Sequence, residues 1–260
     1  MRTLKLTIAY EGTAYVGWQR QATGLSVQGC LEEAIAKIEG SPVTVVGAGR
    51  TDAGVHALGQ VASLRLSRQI ETNAFVMAVN ARLPSDIRVV SAEIVPDLFH
   101  ARFDATAKTY RYCLLHGPLM SPFDRRHGWY IRERLDLERM ADAGRVLVGA
   151  HDFAAFRATG SSIRSTARKL FELTVKRVPR SSWSLVGGSD SALTIIEARG
   201  SGFLRHMMRV IVGTLVEVGR GQRDRAAVKY ALHSRERGSA GQTAPPHGLF
   251  LVRVDYGPAL

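Results

Sequence analysis

The stretch GAGRTDAGVHALGQV, from Gly47 to Val61, lies between two apolar runs, and the pattern on either side is organised around it. Its glycines surround the triplet Arg50-Thr51-Asp52 and His56. Because glycine adopts positive φ without steric cost, such a stretch can turn tightly and bring polar groups close to a ligand. The pattern leaves two interpretations open: a site that presents these side chains, or a turn in which Thr51 and Asp52 bond their own backbone and Arg50 is solvated.

Strands and helices alternate around this stretch. Period-2 patterns and short apolar runs predict strands at residues 4–10, 43–46, 62–66 and 87–95. One helix follows a Ser26 cap and stops at Gly40, and a second runs from a Thr72 cap towards Pro84. The order β-α-β-β-α-β is that of a ferredoxin-like half, in which two helices cover one face of a four-stranded antiparallel sheet.

The segment PDLFHARFDATAKT, from Pro96 to Thr109, joins two halves of the chain and is basic and aromatic rather than Gly/Ser-rich. Residues 1–103 then form an N-terminal half and residues 104–260 a C-terminal half. Further elements are predicted as strands at 110–115, 170–178, 193–198 and 249–256, with a hairpin at 178–192, and as helices after Asp136, at 202–221 and at 224–235. The predicted fold class is α+β, with two related halves and mostly antiparallel sheets.

The charge balance indicates a polyanionic partner. Lys and Arg outnumber Asp and Glu by 35 to 23 in 260 residues, which gives a net charge of +12. Nucleic acid is the leading candidate, and a basic enzyme without such a partner is the alternative. Without a Lys/Arg tail, the basic surface must be assembled by folding. The loop residues Arg125, Arg126 and His127 and the loop 151–169 either contact phosphates or are simply solvated.

The two cysteines, Cys30 and Cys113, make neither a disulfide framework nor a CxxC pair. Their spacing favours a reducing compartment and no structural zinc. The N-terminus reads as a strand without a signal-peptide core, and no apolar run approaches the roughly 20 residues of a membrane helix. We therefore expect a cytoplasmic protein with no membrane partner.

Two groups of aromatic residues could stack on nucleobases. Tyr15 and Trp18 lie beside Arg20 in the loop EGTAYVGWQRQATG, where they would either stack on bases or pack under the loop. Tyr110 and Tyr112 share one face of a strand, and such a stripe is more often core than a stacking platform.

The stretch GFLRHMMRVIVGTLVEVGRG, at 202–221, predicts a helix that is apolar almost all round and therefore largely buried. Arg205 and Arg209 lie one turn apart on this predicted helix. A buried Arg is costly unless a carboxylate or phosphate pairs with it, so Arg209 needs an anionic partner. A structural salt bridge is an equally good explanation of that need.

Several of these stretches together resemble one family. GRTDAGVHALGQV is similar to the catalytic motif of the tRNA pseudouridine synthases of the TruA type, and the resemblance extends across nearly the whole chain in the family's order. It is carried further by YEGTAYVGWQRQ, SVQG, LFHARFDATAKTYRY, GSGFLRHMMRVIVGTLVEVG and TAPPHGLFLVRVDY. The resemblance implies two ferredoxin-like halves whose sheets join side by side, an active-site cleft between them, and a homodimer that shares one tRNA between its subunits.

The resemblance also implies roles for single residues. Asp52 corresponds to the family's essential carboxylate, and Tyr110 to its active-site tyrosine in K-x-Y-R-Y. Arg209 corresponds to the arginine of its M-V-R run, which here has Met208 in place of valine. The expected partner of Arg209 is then Asp52, held ionised by the opposite charge, and Tyr110 is expected to stack on the target base.

Substrate binding is assigned to Arg50, His56 and Arg205 as well as to Tyr110. The target uridine must leave its stack to be reached, so Arg50, His56 and aromatic residues of the cleft are candidates for holding the flipped nucleotide. The family's substrates are uridines at positions 38 to 40 of the tRNA anticodon stem-loop. Recognition is expected to rely on shape and phosphate contacts more than on base edges.

The implied reaction is the isomerisation of uridine to pseudouridine in tRNA, with no cofactor and no metal. A lone carboxylate can attack the sugar or the uracil ring, or assist proton removal at the ribose, and the sequence does not choose among these. Two other classes compete. A noncatalytic RNA-binding protein on a ferredoxin-like scaffold would not need Asp52, and a nucleoside or glycoside hydrolase would want a second carboxylate or a metal cluster near it.

Overall fold

The alternating apolar residues at the N-terminus form a strand of the first unit that pairs with a neighbour on each side. In the computed structural model, which describes residues 1–158, 165–179 and 192–257, Leu4, Leu6 and Ile8 are fully buried on one face of this strand. The described chain forms two compact units, Met1–Lys108 with Phe250–Leu260, and Thr109–Leu249. The last strand therefore belongs with the N-terminal segment, whereas the sequence grouped it with the C-terminal half. The two functional halves inferred from the sequence stay a prediction.

The first unit follows the predicted order of elements. They are strand β1 (Arg2–Tyr10), helix α1 (Val27–Glu39), strands β2 (Val46–Gly47) and β3 (His56–Leu66), helix α2 (Thr72–Asn80) and strand β4 (Ile87–Val95). β1 lies antiparallel between β3 and β4. The last strand of the chain, β10 (Leu249–Tyr256), runs parallel to β3 where Phe250 faces His56, and β2 pairs with the other part of β3.

Two boundaries in this unit differ from the prediction. β2 has only two residues, and β3 begins at His56 rather than at residue 62. The longer β3 follows from pairing, since Ile8 opposes Gln60 and Tyr10 opposes Ala57 along β1. Strand pairing of this kind depends on residues far away in sequence, so the local alternation after Val61 did not indicate it.

Helix caps in the first unit are local and mostly predictable. The Ser26 hydroxyl accepts a hydrogen bond from the Gly29 amide, and Gly40 ends α1 with φ of 85°. Helix α2 is capped by the carboxylate of Glu71, which accepts from the Ala74 amide, and not by Thr72 as predicted. A carboxylate at this position also suits the positive end of the helix dipole.

In its described residues, the second unit combines further strands with three α-helices. Its elements are β5 (Ala105–His116) from Thr109 onward, β6 (Trp129–Tyr130), α3 (Leu137–Arg145), β7 (Gly149–Asp152), β8 (Ala167–Pro179), β9 (Ala192–Gly200), α4 (Met207–Gly219) and α5 (Arg225–Ser234). The strand order is β5-β9-β8-β7, with β8 antiparallel to both neighbours and the short β6 parallel to β5. The short strands β6 and β7 were not predicted.

The predicted hairpin at 178–192 falls almost wholly outside the described residues, as do residues 159–164 of the basic loop predicted at 151–169. What the structure establishes is a mixed α and β fold in which most described strand pairs are antiparallel. The finer division into two ferredoxin-like halves stays a prediction. No helix among the described residues has the length and apolar character needed to cross a membrane.

Candidate active site

Asp52 lies on a tight turn of the first unit, in the segment 47–55 that we call the Asp loop. The Val55 amide donates to the Asp52 carbonyl at 3.1 Å, and Gly54 adopts φ of 74°, which together close the turn. The Asp52 side chain is half-buried, whereas the neighbouring Thr51 is buried. The turn therefore fixes its backbone and leaves the carboxylate partly accessible.

Hydrogen bonds from buried side chains hold the Asp loop. The hydroxyls of Tyr10 and Thr51 lie 2.7 Å apart, and the Gln60 amide nitrogen donates to the Gly49 carbonyl at 2.8 Å. Gln60 is fully buried, so its amide is committed to this contact rather than to solvent. Because buried polar groups are costly to leave unpaired, these bonds give the loop one conformation.

The loop after β1 packs directly onto the Asp loop through glycines. Gly17 forms an isolated β-bridge with Asp52 and has φ of 111°, and a side chain there would begin 2.6 Å from the Thr51 carbonyl oxygen. At Gly12 a Cβ would lie 2.0 Å from the Val55 carbonyl oxygen. Only glycine permits such close backbone contacts, so the loop after β1 and the Asp loop pack together as one substructure.

The aromatic residues of that same loop are core. Tyr15 and Trp18 are 4% and 2% exposed, the Trp18 amide donates to the Thr51 carbonyl, and the Trp18 ring covers Gly47. Of the two interpretations left open by the sequence, packing under the loop is confirmed. Trp18 therefore supports the Asp loop from within the protein.

His56 and Arg50, both predicted to bind substrate, are placed differently. Arg50 is exposed, whereas His56 is 1% exposed and its ring stacks on Phe250 at 4.7 Å. The Gly12 amide donates to His56 Nδ1 at 2.9 Å, and the same nitrogen lies 3.6 Å from a Glu11 carboxylate oxygen. The burial favours a supporting role for His56. Its assignment to substrate binding stays a prediction.

In the second unit, Arg209 lies on the buried helix α4 and is oriented by the segment that precedes β10. Its Nε donates to the Ala244 carbonyl at 2.7 Å, and the Ala244 amide donates back to the Arg209 carbonyl at 3.1 Å. The side chain is half-buried. With Nε committed to Ala244, a carboxylate can meet this guanidinium bidentately only through the two terminal nitrogens.

Arg205 does not lie on α4, which corrects the prediction that it sits one turn before Arg209 on the same helix. The helix begins at Met207, because His206 adopts the left-handed conformation with φ of 62°. Arg205 is exposed on the segment ahead of the helix. The rest of the helix is buried on nearly every side, as its composition predicted.

Tyr110 is 7% exposed and meets the Phe203 ring edge-on at 4.8 Å between centroids. Phe203 was expected within α4, and it lies instead on the segment before the helix. The two rings form an edge-on pair in the second unit, with geometry typical of favourable ring contacts. Stacking of Tyr110 on a base stays a prediction.

The segment TAPPHG, at 243–248, contacts Arg209. The sequence pattern assigned it no role of its own. The Tyr112 hydroxyl donates to the Pro245 carbonyl at 2.7 Å, and the Tyr112 ring lies where a Cβ on Gly248 would be. Burial raises the pKa of Tyr112, and the charge of Arg209 opposes the rise. Burial lowers the pKa of His247, and the charge of Arg209 acts in the same direction. The paired prolines were the available signal for this rigid segment.

Within the described ranges, no group of three or more His, Cys, Asp or Glu residues is arranged to hold a metal ion. The first unit carries the Asp52 carboxylate on a fixed turn, and the second carries an oriented guanidinium at Arg209 and an edge-on aromatic pair at Tyr110. A carboxylate of this kind can act as a nucleophile or a base.

Comparison with known proteins identifies relatives over the whole length. The sequence model of the tRNA pseudouridine synthase family matches residues 6–104 and 143–257. The chain is 46% identical over 258 residues to tRNA pseudouridine synthase A of Syntrophotalea carbinolica, covering 99% of this chain and 98% of that one. It is 43% identical to the protein of the same name from Geotalea uraniireducens, covering 98% of this chain and all of that one.

Among solved structures, the chain aligns with a chain from the crystal structure of a Cbf5-Nop10-Gar1 complex at 13% identity and a TM-score of 0.33. The alignment covers 95% of this chain and 48% of that chain, and a likeness of this size carries no argument. The full-length relatives and the two segments matched by the family model are sufficient to assign the family. The chain belongs to the tRNA pseudouridine synthase family.

Proposed function

We propose that this chain isomerises uridine to pseudouridine at positions 38 to 40 of the tRNA anticodon stem-loop, with Asp52 as the nucleophilic carboxylate. As a tRNA pseudouridine synthase the chain is an isomerase. The observation that supports the role of Asp52 is the position of its side chain. The half-buried carboxylate lies on a turn that hydrogen bonds at Thr51 and Gly49 hold in place.

The reaction exchanges one glycosidic bond for another. The bond from ribose C1′ to uracil N1 breaks, the base rotates, and C1′ joins C5. The proton lost from C5 is balanced by the proton gained at N1, so substrate and product are isomers. Attack by Asp52 on the sugar, attack on the ring and removal of a ribose proton all use the ionised carboxylate.

The fixed turn supports this role energetically. A catalytic group that is oriented before the substrate arrives does not have to be ordered during the reaction, which lowers the barrier. Tyr110 and Arg209 are the proposed partners of Asp52, one to stack on the base and the other to supply an opposite charge. A double-mutant cycle on Asp52 and Arg209 measures whether their effects on turnover are coupled.

The wider setting of the proposal comes from the family resemblance. We expect two ferredoxin-like halves, a homodimer that binds tRNA, and a cytoplasmic location, where its substrate is found. The net charge of +12 suits a tRNA partner. Sedimentation of the protein with and without tRNA tests the dimer, since a mass of one chain in both would contradict it.

The test of the catalytic role compares two Asp→Asn variants of the full chain. Asp52→Asn keeps the size of the side chain and removes its charge, and we expect pseudouridine formation in unmodified tRNA to fall at least about 1,000-fold. Asp142→Asn is the matched control, because Asp142 pairs with two exposed arginines of the second unit, at 3.1 Å from Arg145 and from Arg225.

The two variants separate the possible failures. A wild-type protein that makes no pseudouridine would show that the proposed function is wrong. An Asp52→Asn variant that keeps more than about a tenth of the wild-type rate would leave the function standing and remove Asp52 from the mechanism.

A further inference from the structure

An exposed aromatic side chain stands beside an exposed cation on the segment between β4 and β5. Phe103 is 75% exposed, its ring lies 4.2 Å from the His100 ring at 31°, and the Arg102 guanidinium lies 5.6 Å from the Phe103 centroid. Within the part of the chain that the structure describes, no carboxylate pairs with Arg102. We call Phe103, His100 and Arg102 the aromatic step.

The segment that carries the aromatic step is held firmly. Ala101 is fully buried, its amide donates to the Ser63 hydroxyl at 3.1 Å, and its carbonyl accepts from the Tyr256 hydroxyl at 2.7 Å. The Phe99 ring packs against the Tyr256 ring at 5.1 Å. The backbone before Phe103 is therefore held at Phe99 and Ala101. Because the segment is fixed there, it keeps the Phe103 ring exposed to solvent.

The His100 ring is also fixed. Its Nδ1 accepts from the backbone amides of Arg102 and Phe103 at 3.1 and 3.2 Å, and its own amide donates to the Asp104 carboxylate at 2.8 Å. These bonds set the plane of the imidazole against which the tilted Phe103 ring packs. One face of Phe103 is therefore covered by His100, and the ring has little freedom to fold away from solvent.

The composition of the aromatic step indicates what covers it. Exposed, rigid aromatic rings with an adjacent Arg are how proteins stack on unpaired nucleobases, because every base offers a π-face and Arg adds a cation–π or phosphate contact. The exposed Arg102 guanidinium beside Phe103 and the net charge of +12 favour a polyanion at this surface. RNA supplies both the phosphates and the unpaired bases that such a surface can contact.

The aromatic step is linked to the Asp loop within the first unit. The chain runs from Phe103 into β5, and the Lys108 ammonium lies 3.3 Å from the position of a Cβ on Gly49 of the Asp loop. Five residues span at most about 18 Å. Phe103 and the Asp loop thus belong to the same unit and are joined by the short run of residues 103–108.

We propose that the aromatic step, Phe103 with His100 and Arg102, is a stacking site for an unpaired nucleotide of the tRNA substrate. The inference rests on the proposed function, since it takes tRNA as the ligand. It assigns Phe103 to affinity for RNA, outside the group of residues that act on the uridine.

The test measures equilibrium binding of an unmodified tRNA transcript to the full-length protein. Phe103→Ala is expected to weaken binding about 5-fold to 100-fold, the range for loss of one base–aromatic stack, and Phe103→Trp to restore it. Met77→Ala is the matched control, because Met77 is 72% exposed on α2 of the same unit, and we expect its binding to stay within twofold of wild type.

Salt dependence separates stacking from charge. Phe103→Ala should leave the slope of log Kd against log salt unchanged, whereas Arg102→Gln should lower it by about one if the guanidinium meets a phosphate. Binding by Phe103→Ala within twofold of wild type overturns the proposal. A change in the sedimentation mass of Phe103→Ala also overturns it, because the ring would then contact a second copy.

Formation of pseudouridine by the wild-type protein is measured in parallel. If the wild type modifies tRNA and Phe103→Ala binds normally, only the stacking site is wrong. If the wild type does not modify tRNA, the proposed function fails and the stacking site falls with it.

Discussion

The Tyr10 hydroxyl fixes the residue next to the proposed nucleophile. It shares a 2.7 Å hydrogen bond with the Thr51 hydroxyl, and both side chains are buried. Thr51 adjoins Asp52 in sequence, and its carbonyl also accepts from Trp18. Thr51 is thus held through its side chain and its backbone at once, which limits how far Asp52 can move.

Tyr10→Phe is expected to destabilise the protein and to slow its reaction. The change leaves the buried Thr51 hydroxyl without this partner, so the free energy of unfolding should fall by about 1–2 kcal/mol. The rate of pseudouridine formation at saturating tRNA should fall about tenfold or more, with tRNA affinity unchanged, because a small misplacement of a catalytic group is costly. Chemical denaturation and single-turnover kinetics measure the two effects.

The control for that variant is Tyr130→Phe. The Tyr130 hydroxyl donates to the Gly117 carbonyl at 2.8 Å in the second unit, away from the Asp loop in sequence. We expect a loss of stability without a loss of turnover. Equal losses of turnover in the two variants would show that Tyr10 acts through general stability alone.

Local pattern identified the Asp loop but not what lies beneath it. The glycines and the Arg50-Thr51-Asp52 triplet were visible in the sequence, whereas the burial of Trp18 depends on Gly47, where a Cβ would lie 2.4 Å from the ring nitrogen. Whether a loop aromatic packs or stacks is decided by such distant partners. For the same reason the burial of His56 under Phe250 had no local signal.

Helix α4 illustrates the same limit for an element. Its apolar spacing predicted burial correctly, and the structure buries Val210, Ile211 and Leu215 completely. The spacing also extended back to Phe203, yet the helix begins only after His206, whose left-handed φ breaks it. Periodicity counts apolar residues without distinguishing helical ones from those that pack otherwise, so the start of the helix was wrong while its face was right.

Gly213 in α4 is a position where better helix propensity should not help. A Cβ there would lie 1.9 Å from the Gln242 carbonyl oxygen, so Gly213→Ala forces α4 and the segment before β10 apart. We expect the free energy of unfolding to fall by about 2 kcal/mol or more, which exceeds the roughly 1 kcal/mol that Ala gains over Gly in a helix. Thermal and urea unfolding measure the change.

Gly238→Ala is the control for Gly213→Ala. No heavy atom lies within 4 Å of the Cβ position at Gly238, and its φ is not positive. The variant should be neutral or more stable by up to about 1 kcal/mol. Similar destabilisation by both substitutions would mean that backbone freedom, and not the contact at Gln242, makes glycine necessary in α4.

At the scale of the whole molecule, the chain leaves the first unit at Lys108 and returns to it at Phe250. The last strand contributes packing and hydrogen bonding to the first unit. Phe250 stacks on His56, and the Tyr256 hydroxyl donates to the Ala101 carbonyl in the segment of the aromatic step. A reading that proceeds along the sequence groups the last strand with its neighbours. Only the parallel pairing of β10 with β3 shows that it completes the unit that carries Asp52.

Phe250→Ala should therefore loosen the first unit although it lies near the C-terminus. Phe250 is 8% exposed, and loss of its buried ring is expected to cost about 3 kcal/mol. Hydrogen exchange should accelerate in β1, β3 and the Asp loop, and change less in α4 and α5.

Phe156→Ala is the counterpart in the second unit, where Phe156 is fully buried and its ring centroid lies 6.0 Å from that of Phe153. Its loss should accelerate exchange in the second unit instead. Faster exchange of α4 than of β3 in Phe250→Ala would show that β10 does not stabilise the unit that carries the proposed nucleophile.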